Sequence, residues 1–258
     1  MSQSVNGNTD IWLLDVGRGV FIRFTSDPVP DIYPVWSPDG QRIAYSSTTP
    51  GKAGFDLYEK PVSGAAAGKL LTNAAQVGIA MDWSSDGRFV LYRNTDPKTG
   101  WDIWAKPLEG AGNVFPVIQT MFDDRDAQFS PDGKWIAYQS NESGRFEIYV
   151  QLFPGPGGKQ RISTGGGSQV RWGRRANEIF YIAPGGHLMA VPIRFSSNGQ
   201  IVDADAPVAL FQTDMGTVAG GSSHLYDVAP DGQRFLINTL TEPPSSSPIT
   251  MILNWGAK

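Results

Sequence analysis

Short runs of alternating apolar and polar residues return along the chain about every 45 residues. Each repeat joins an aromatic or apolar residue, a tight turn and an apolar strand. The turn-containing segments read WSPDGQRIAY from Trp36, WSSDGRFVLY from Trp83, FSPDGKWIAY from Phe129, WGRRANEIFY from Trp172 and VAPDGQRFLI from Val228. Helical periodicity is missing throughout the sequence, so the pattern predicts an all-β chain.

The chemistry of the Ser-Pro-Asp-Gly turn predicts a β-hairpin in each repeat. Pro fixes φ at the first corner, Asp bonds its own backbone, and Gly takes the left-handed position. After each hairpin come a third strand, such as DLYEKPV or DIWAKPL, and a shorter fourth strand that ends at threonine. Short strands repeated at this spacing with turn signals are typical of a β-propeller with four-stranded antiparallel blades.

The number of blades follows from counting strands. The pattern predicts about 21 strands, one more than five four-stranded blades need and fewer than six need. We expect a single propeller domain over 1–258, with a disordered-like leader over 1–9 and a half-blade over 10–25. Repeats are expected to start near residues 33, 79, 126, 167 and 224. Two arrangements stay open: a six-bladed type with an incomplete first blade, and a five-bladed ring with one surplus strand. Unpaired blade edges would invite self-association.

Composition narrows the classes of partner. The chain has a net charge of −4 and lacks cysteine, so disulfides and thiolate metal sites are ruled out. The sequence has no Lys/Arg cluster, which disfavours nucleic acid. No apolar run is long enough to span a bilayer, so membrane insertion is not expected, and no signal peptide is visible.

The repeats resemble those of TolB-type propellers, as in WSPDGQRIAYSS followed by FDLYEKPV, and in FSPDGKWIAYQSNESGRFEIYV. The segments 96–108, 154–172 and 226–255 are similar to the C-terminal propeller of bacterial eukaryotic-like serine/threonine kinases. This resemblance implies a six-bladed ring, a sensory role beside a kinase and a periplasmic or extracytoplasmic location. The chain has no HRD, DFG or Gly-rich kinase motif, so it would correspond to the non-catalytic part.

Residues that differ between repeats are the candidates for function, because the residues that recur are expected to be scaffold. In a propeller the first strand of each blade lines the central channel, so the positions just before each aromatic were compared. The candidate ligand-binding residues at these positions are Tyr33, Asp82, Asp126, Gln169, Arg171 and Asp227, and Asp124, Arg125 and His224 are expected at the rim of the channel. The residues two before each aromatic, such as Val170 and Tyr226, are expected to pack.

These candidates favour a non-enzymatic scaffold that binds a protein, a peptide or a small ligand at the channel mouth. The alternative is a glycan- or ester-directed hydrolase or lyase, in which Asp82, Asp126 and His224 are the weak catalytic candidates. No cofactor is predicted, although the carboxylates of Asp82, Asp126 and Asp227 would suit a cation such as calcium. The Gly/Ser-rich run 216–223 could fold over the channel mouth beside His224. No catalytic fingerprint is present in the sequence.

Overall fold

A computed structural model describes the chain apart from residues 50, 52–53, 65, 73–77, 111, 156, 175–176, 197–201, 214, 216–223, 240–248 and 253–258. The described part contains 23 β-strands and is all-β, as predicted. None of its segments is a helix long and apolar enough to cross a membrane. The chain divides into two compact units, Met1–Asp123 and Asp124–Lys258.

The first unit contains three antiparallel sheets, each formed by strands that follow one another in sequence. The first sheet is three-stranded: β1 (Ser2–Val5), β2 (Asn8–Asp15) and β3 (Val20–Arg23). The second is four-stranded: β4 (Asp31–Trp36), β5 (Arg42–Ser47), β6 (Asp56–Pro61) and β7 (Lys69–Leu70). The third is also four-stranded: β8 (Ile79–Trp83), β9 (Phe89–Asp96), β10 (Gly100–Pro107) and β11 (Phe115–Ile118).

The second unit also contains three described sheets. The first of them is four-stranded: β12 (Asp124–Phe129), β13 (Trp135–Ser140), β14 (Glu147–Leu152) and β15 (Gln160–Arg161). The next is five-stranded: β16 (Ser168–Trp172), β17 (Glu178–Ile182), β18 (His187–Phe195), β19 (Val202–Ala204) and β20 (Val208–Gln212). The last is three-stranded: β21 (Tyr226–Val228), β22 (Phe235–Asn238) and β23 (Ile249–Ile252).

The N-terminal residues differ from the expected disordered-like leader over 1–9. Ser2–Val5 forms β1, and β2 already begins at Asn8. The two strands pair in the register Ser2↔Ile11 to Val5↔Asn8, and the turn between them places Asn6 and Gly7 at positive φ. Backbone pairing against an apolar strand needs no apolar residues on the partner. For this reason the polar sequence SQSV gave no sign of a strand.

The Ser-Pro-Asp-Gly turns form the predicted hairpins. In the first turn, the Ser37 hydroxyl donates to Oδ1 of Asp39 (2.5 Å) and accepts from the Arg42 amide (2.9 Å). The same pair of bonds joins Ser130 to Asp132 and to the Trp135 amide. Gly40 has a φ of 68°, which favours glycine. These side-chain hydrogen bonds stabilise each turn from within.

The recurring acids at the start of the third strands are buried parts of the scaffold. Asp10, Asp56, Asp102 and Glu147 are all at most 3% exposed. Glu147 accepts from the Gly166 amide at 2.9 Å and from the Ser163 hydroxyl. Ser163 in turn accepts from the Ile148 amide at 2.8 Å. A hydroxyl at the end of the fourth strand thus ties the third strand to the fourth within one sheet.

Each unit has its core between adjacent sheets. In the first unit, Val35, Leu57 and Trp83 belong to a buried cluster shared by the second and third sheets. In the second unit, the fully buried Trp135 lies in a cluster with Trp172 and other residues of β13 to β18. Burial of each large apolar side chain of this kind contributes about 1.5–3 kcal/mol. The alternating apolar positions of the sequence are those that face these cores.

The longest interval between repeats, from Trp172 to Val228, contains a strand that the pattern does not predict. Strand β18 runs on past Pro192, and its last residues pair with β19. Phe195 at the end of β18 packs on Trp135, with ring centroids 5.4 Å apart, and on Trp172 at 6.3 Å. The additional hairpin therefore extends the hydrophobic core of the second unit.

Candidate functional site

The first strands of four sheets contain a β-bulge, and in three of them the residue three before the closing aromatic has a positive φ; the fourth bulge lies between Ala80 and Asp82 of β8. Tyr33, Asp126 and Gln169 occupy this position and have positive φ values of 55°, 48° and 56°. Register shifts mark the bulge in each case. The left-handed conformation costs an L-residue other than glycine about 1–2 kcal/mol. Such strain is typically retained where a side chain must be aimed at a functional site.

A buried tyrosine lies opposite each of these bulges on the second strand of the sheet. These residues are Tyr45, Tyr138 and Tyr181, and none is more than 3% exposed. Desolvation, and secondarily the negative charge of Glu147, raises the pKa of Tyr181 to about 12. Burial likewise raises the pKa of Tyr45 and Tyr138, so all three tyrosines are neutral at physiological pH.

In the second unit, the bulges of β12 and β16 are joined by their side chains. Nε2 of Gln169 donates to Oδ2 of Asp126 at 3.4 Å, and Oε1 of Gln169 accepts from the Leu225 amide at 3.1 Å. Asp126 and Gln169 are each 2% exposed. This chain of bonds, which we call the inner-strand network, links β12, β16 and the residue before β21.

Arg171 lies two residues beyond Gln169 and is only 3% exposed. Its Nη1 donates to the Val170 carbonyl at 2.6 Å and its Nε to the Tyr226 carbonyl at 3.3 Å. Nη2 is buried without a hydrogen-bond partner in the described part of the chain. The guanidinium carbon lies 5.6 Å from the centroid of the Tyr226 ring. A guanidinium cannot lose its proton, so this is a fixed positive charge with donors left over.

His224 is exposed and precedes the strand that holds Tyr226. Its pKa is nevertheless well below the usual range, first through desolvation by surrounding protein and second through the positive charge of Arg171. An imidazole in this setting is neutral at pH 7 and can both donate and accept a hydrogen bond. The preceding run 216–223 lies outside the described residues.

The structure places the other predicted residues as follows. Tyr33 is half-buried on β4, and its amide donates to the Ser2 hydroxyl at 3.2 Å. Asp82 is half-buried on β8, where it pairs with Leu91 of β9. Asp124 is fully buried on β12, which is not the rim position expected for it.

Arg125 and Asp227 complete the set of predicted residues. Arg125 is half-buried, with its guanidinium 4.7 Å from the centroid of the Phe146 ring. Asp227 is exposed and accepts from the Val228 amide at 2.8 Å. The network thus unites Asp126 and Gln169, while Arg171 approaches His224. Tyr33 and Asp82 belong to the other unit.

Three residues make contacts around the site that the sequence did not predict. Tyr226 packs as predicted, but its carbonyl also accepts from Arg171. Leu225 contributes only its backbone amide, which donates to Gln169. A backbone contribution of this kind cannot be predicted from the residue type. Gln128 shares the candidates' position on its strand, yet it accepts from the Trp172 amide at 2.7 Å and so holds two sheets together. The polar character of Gln128 was the only available signal for that bond.

The described residues contain no group of three or more His, Cys, Asp or Glu arranged to hold a metal ion. Asp126 instead accepts from an amide of Gln169, and Asp227 from a backbone amide. Two of the three carboxylates suggested as cation ligands are therefore engaged by donors of the protein. Calcium binding by Asp82, Asp126 and Asp227 stays a prediction.

Comparison with known proteins bears on the fold. No protein-family model matches the chain. Tricorn protease homolog 1 of Streptomyces coelicolor is 35% identical over 80 residues, which are 31% of this chain and 7% of that protein. The structure of TolB from Acinetobacter baumannii is similar with a TM-score of 0.67 and 19% identity, over 90% of this chain and 54% of the TolB chain.

An oligogalacturonate lyase in complex with manganese is also similar in structure. The TM-score is 0.56 at 12% identity, over 92% of this chain and 81% of the lyase. The chain spans about half the length of the TolB structure it matches. At these identities the likeness concerns the fold alone, since one fold carries many functions. The chain has an all-β fold of antiparallel sheets, three of the six described sheets being four-stranded, of the β-propeller type found in TolB.

Proposed function

We propose that this chain is a non-enzymatic β-propeller scaffold that binds a protein or peptide segment through the inner-strand network and Arg171. It acts as the sensory or interaction part of a larger protein. The inner strands of a propeller line its central channel, so a ligand that enters the channel would contact this part of the chain. The resemblance of the repeats to kinase-associated propellers supports a role beside another domain.

One observation carries the proposal: the buried polar residues Asp126 and Gln169 both have a positive φ, which residues other than glycine adopt uncommonly. At a positive φ, glycine is the residue that avoids backbone strain, and neither position has it. The recurring acids, in contrast, are engaged by hydroxyls and amides of their own sheets. The positive φ values therefore occur at a position whose residue type differs between repeats, as Tyr33, Asp126 and Gln169 show.

The kind of ligand follows from the donors and acceptors available. Arg171 has five N–H groups, of which two donate to carbonyls, so the remaining donors suit a carbonyl or carboxylate. The network also offers an amide and a carboxylate, which match a peptide backbone. A segment with alternating donors and acceptors fits better than a uniformly charged ligand.

The test begins with peptides selected by display on the intact chain. Asp126→Asn keeps the shape and tolerates a positive φ, and we expect it to weaken binding by about tenfold or more, as does Arg171→Met. Arg194→Met serves as the control, because Arg194 is an exposed arginine of the same unit that pairs with Asp203 and Asp205. Equal binding by all variants would contradict the proposal.

A second arm addresses enzymatic activity. The intact chain is incubated with a panel of glycosides, uronides, esters and lactones, and product formation is followed. We expect no turnover. Reproducible turnover that Asp126→Asn abolishes would contradict the proposal and favour the hydrolase or lyase alternative.

A further inference from the structure

Arg171 is the one buried cation among the described residues of the second unit. The described ion pairs of that unit are made by Arg145, Lys159, Arg194 and Arg234, whose side chains are 34–65% exposed. Arg171 is only 3% exposed and is not among them. Burial of a charge is costly unless the charge is paired and hydrogen-bonded. The cation that most needs a negative partner therefore has none in the described part of the chain.

A second buried donor belongs to the side chain that packs on Arg171. Nη2 of Arg171 and the hydroxyl of Tyr226 are both buried without a hydrogen-bond partner among the described residues. The guanidinium carbon lies 5.6 Å from the centroid of the Tyr226 ring. Desolvation raises the pKa of Tyr226 despite the opposing charge of Arg171, so the hydroxyl keeps its proton and can donate. Buried donors are expected to meet an acceptor, and here two donors await one.

The described groups beside these donors do not supply the acceptor. Nη1 and Nε of Arg171 already donate to two backbone carbonyls. The carboxylate of Asp227 accepts from the Val228 amide and makes no described ion pair with Arg171. His224 is exposed, and the charge of Arg171 contributes, after desolvation, to lowering the pKa of its imidazole. The site therefore adjoins solvent at His224.

We propose that Arg171 and Tyr226 form a binding site for one carboxylate of the ligand, to which Nη2 of Arg171 and the Tyr226 hydroxyl donate. The ligand is the peptide of the proposed function, on which this inference rests. Its carboxylate comes from the C-terminus or from an acidic side chain. The inner-strand network then contacts the uncharged part of the peptide.

A carboxylate fits this donor set better than a phosphate or an uncharged carbonyl. Its single negative charge balances the single positive charge of Arg171, whereas a phosphate group on a peptide has a charge of about −1.5 to −2 at pH 7. An uncharged carbonyl would accept a hydrogen bond but would leave the buried charge of Arg171 without compensation. Hydrogen bonds between a guanidinium and a carboxylate are also stronger than those between neutral groups.

The first test uses acetate as the probe and the proton NMR signals of the 2 histidines as the readout. At constant pH and ionic strength, with chloride as the balancing anion, we expect acetate to shift the His224 signal saturably. The signal of His187, an exposed histidine of the same unit, should stay unchanged. Acetamide, which has a similar shape without the charge, should cause no shift.

Three variants assign the acetate response to its residues. We expect the response to be lost in Arg171→Met. Tyr226→Phe removes only the hydroxyl and should weaken acetate binding by about two- to tenfold. Arg194→Met, which removes an exposed arginine of the same unit, should respond like the wild type.

Several results of this test would overturn the proposal. They are the absence of a saturable shift with acetate, an equal response to acetamide, and an unchanged response in Arg171→Met. A stronger response to inorganic phosphate than to acetate would overturn it too. Asp214 and Glu242 lie outside the described residues. If one of these carboxylates already held Arg171, acetate would fail to bind and the proposal would be wrong.

The second test identifies the source of the carboxylate. Each display-selected peptide is prepared with a free C-terminus, as the C-terminal amide, and with each acidic side chain replaced by its amide. We expect one of these changes to weaken binding to the wild-type chain by about tenfold or more and to have little effect in Arg171→Met. Loss on C-terminal amidation identifies the terminus, and loss on side-chain replacement identifies an aspartate or glutamate.

The two proposals fail in different ways. Peptides that bind equally well without any of their carboxylates would overturn the carboxylate site and leave the proposed function standing. A chain that selects no peptide but shows the acetate response, lost in Arg171→Met, would contradict the proposed function and support the carboxylate site.

Discussion

The side-chain amide of Gln169 donates to the carboxylate of Asp126 across 3.4 Å, and both residues have positive φ although neither is glycine. The same amide group accepts from the backbone of Leu225 through its oxygen. A single side chain therefore joins β12, β16 and the residue before β21 by two hydrogen bonds, one donated and one accepted. The orientation of the Gln169 amide is fixed by these partners, because only the nitrogen can donate to Asp126.

Replacing Gln169 with glutamate reverses one of the two bonds. The new carboxylate can still accept from Leu225 but faces Asp126 with a like charge. We expect the free energy of unfolding at pH 7 to fall by about 1.5–3 kcal/mol. The loss shrinks as the pH drops, because repulsion raises the folded-state pKa of one carboxylate and protonation then relieves it. Urea unfolding at pH 7 and pH 5 measures this. Gln160→Glu on the exposed strand β15 is the control, and an equal loss at both positions would contradict the assigned contact.

Removing the Ser163 hydroxyl tests the buried bond between the third and fourth strands. Ser163→Ala leaves the Ile148 amide without an acceptor and removes a donor from Glu147. A buried unsatisfied group costs about 1–3 kcal/mol, so we expect destabilisation in that range. Chemical unfolding gives the value. Ser143→Ala, which removes an exposed hydroxyl, should change stability by less than about 0.5 kcal/mol. Equal effects of the two substitutions would exclude the structural role.

The pH dependence of protein stability tests the burial of the Asp102 carboxylate. Desolvation raises the pKa of Asp102 more than the bonds from Thr99 and Gln119 lower it. Because the folded-state pKa lies above the unfolded one, ionisation of Asp102 opposes folding above the folded pKa, and the penalty disappears as the pH falls. Asp102→Asn removes the penalty. We expect the stability of the variant relative to the wild type to be more favourable at pH 7 than at pH 4. A difference that does not vary with pH would contradict the assignment.

The histidine beside Arg171 can be followed directly. The chain has 2 histidines, and the proton NMR signal of His224 is identified by its loss in His224→Gln. We expect its pKa to lie below 6.5, because desolvation and the charge of Arg171 both disfavour the imidazolium. Arg171→Met should move that pKa upward. A midpoint of 6.5 or above in the wild-type chain would show that the ring is instead fully solvated.

Local chemistry made most of the fold predictable. The turn residues Ser37 and Asp39 make the bonds that their sequence pattern predicts, and the alternating apolar residues lie in the cores. Strand β1 was missed because backbone pairing places no requirement on the polar residues Ser2–Val5. Blade number, ring closure and the single-domain boundary stay predictions.

The candidate site was predicted less completely. Asp126, Gln169 and Arg171 lie on the first strands of their sheets, as the alternation predicted, but the alternation gave no sign of the bulge in these strands. A bulge depends on how two strands pair over several residues, and the identity of one residue does not specify it. For the same reason the backbone contributions of Leu225 and Tyr226 could not be seen in the sequence.

Amide chemical shifts of the intact chain, recorded while a display-selected peptide is added, test the proposed binding site most directly. The account predicts that the largest shifts occur at Asp126, Gln169 and Leu225, and that Asp126→Asn weakens them at equal peptide concentration. Shifts confined to other surfaces, such as the exposed Met121 and Phe122, would contradict it.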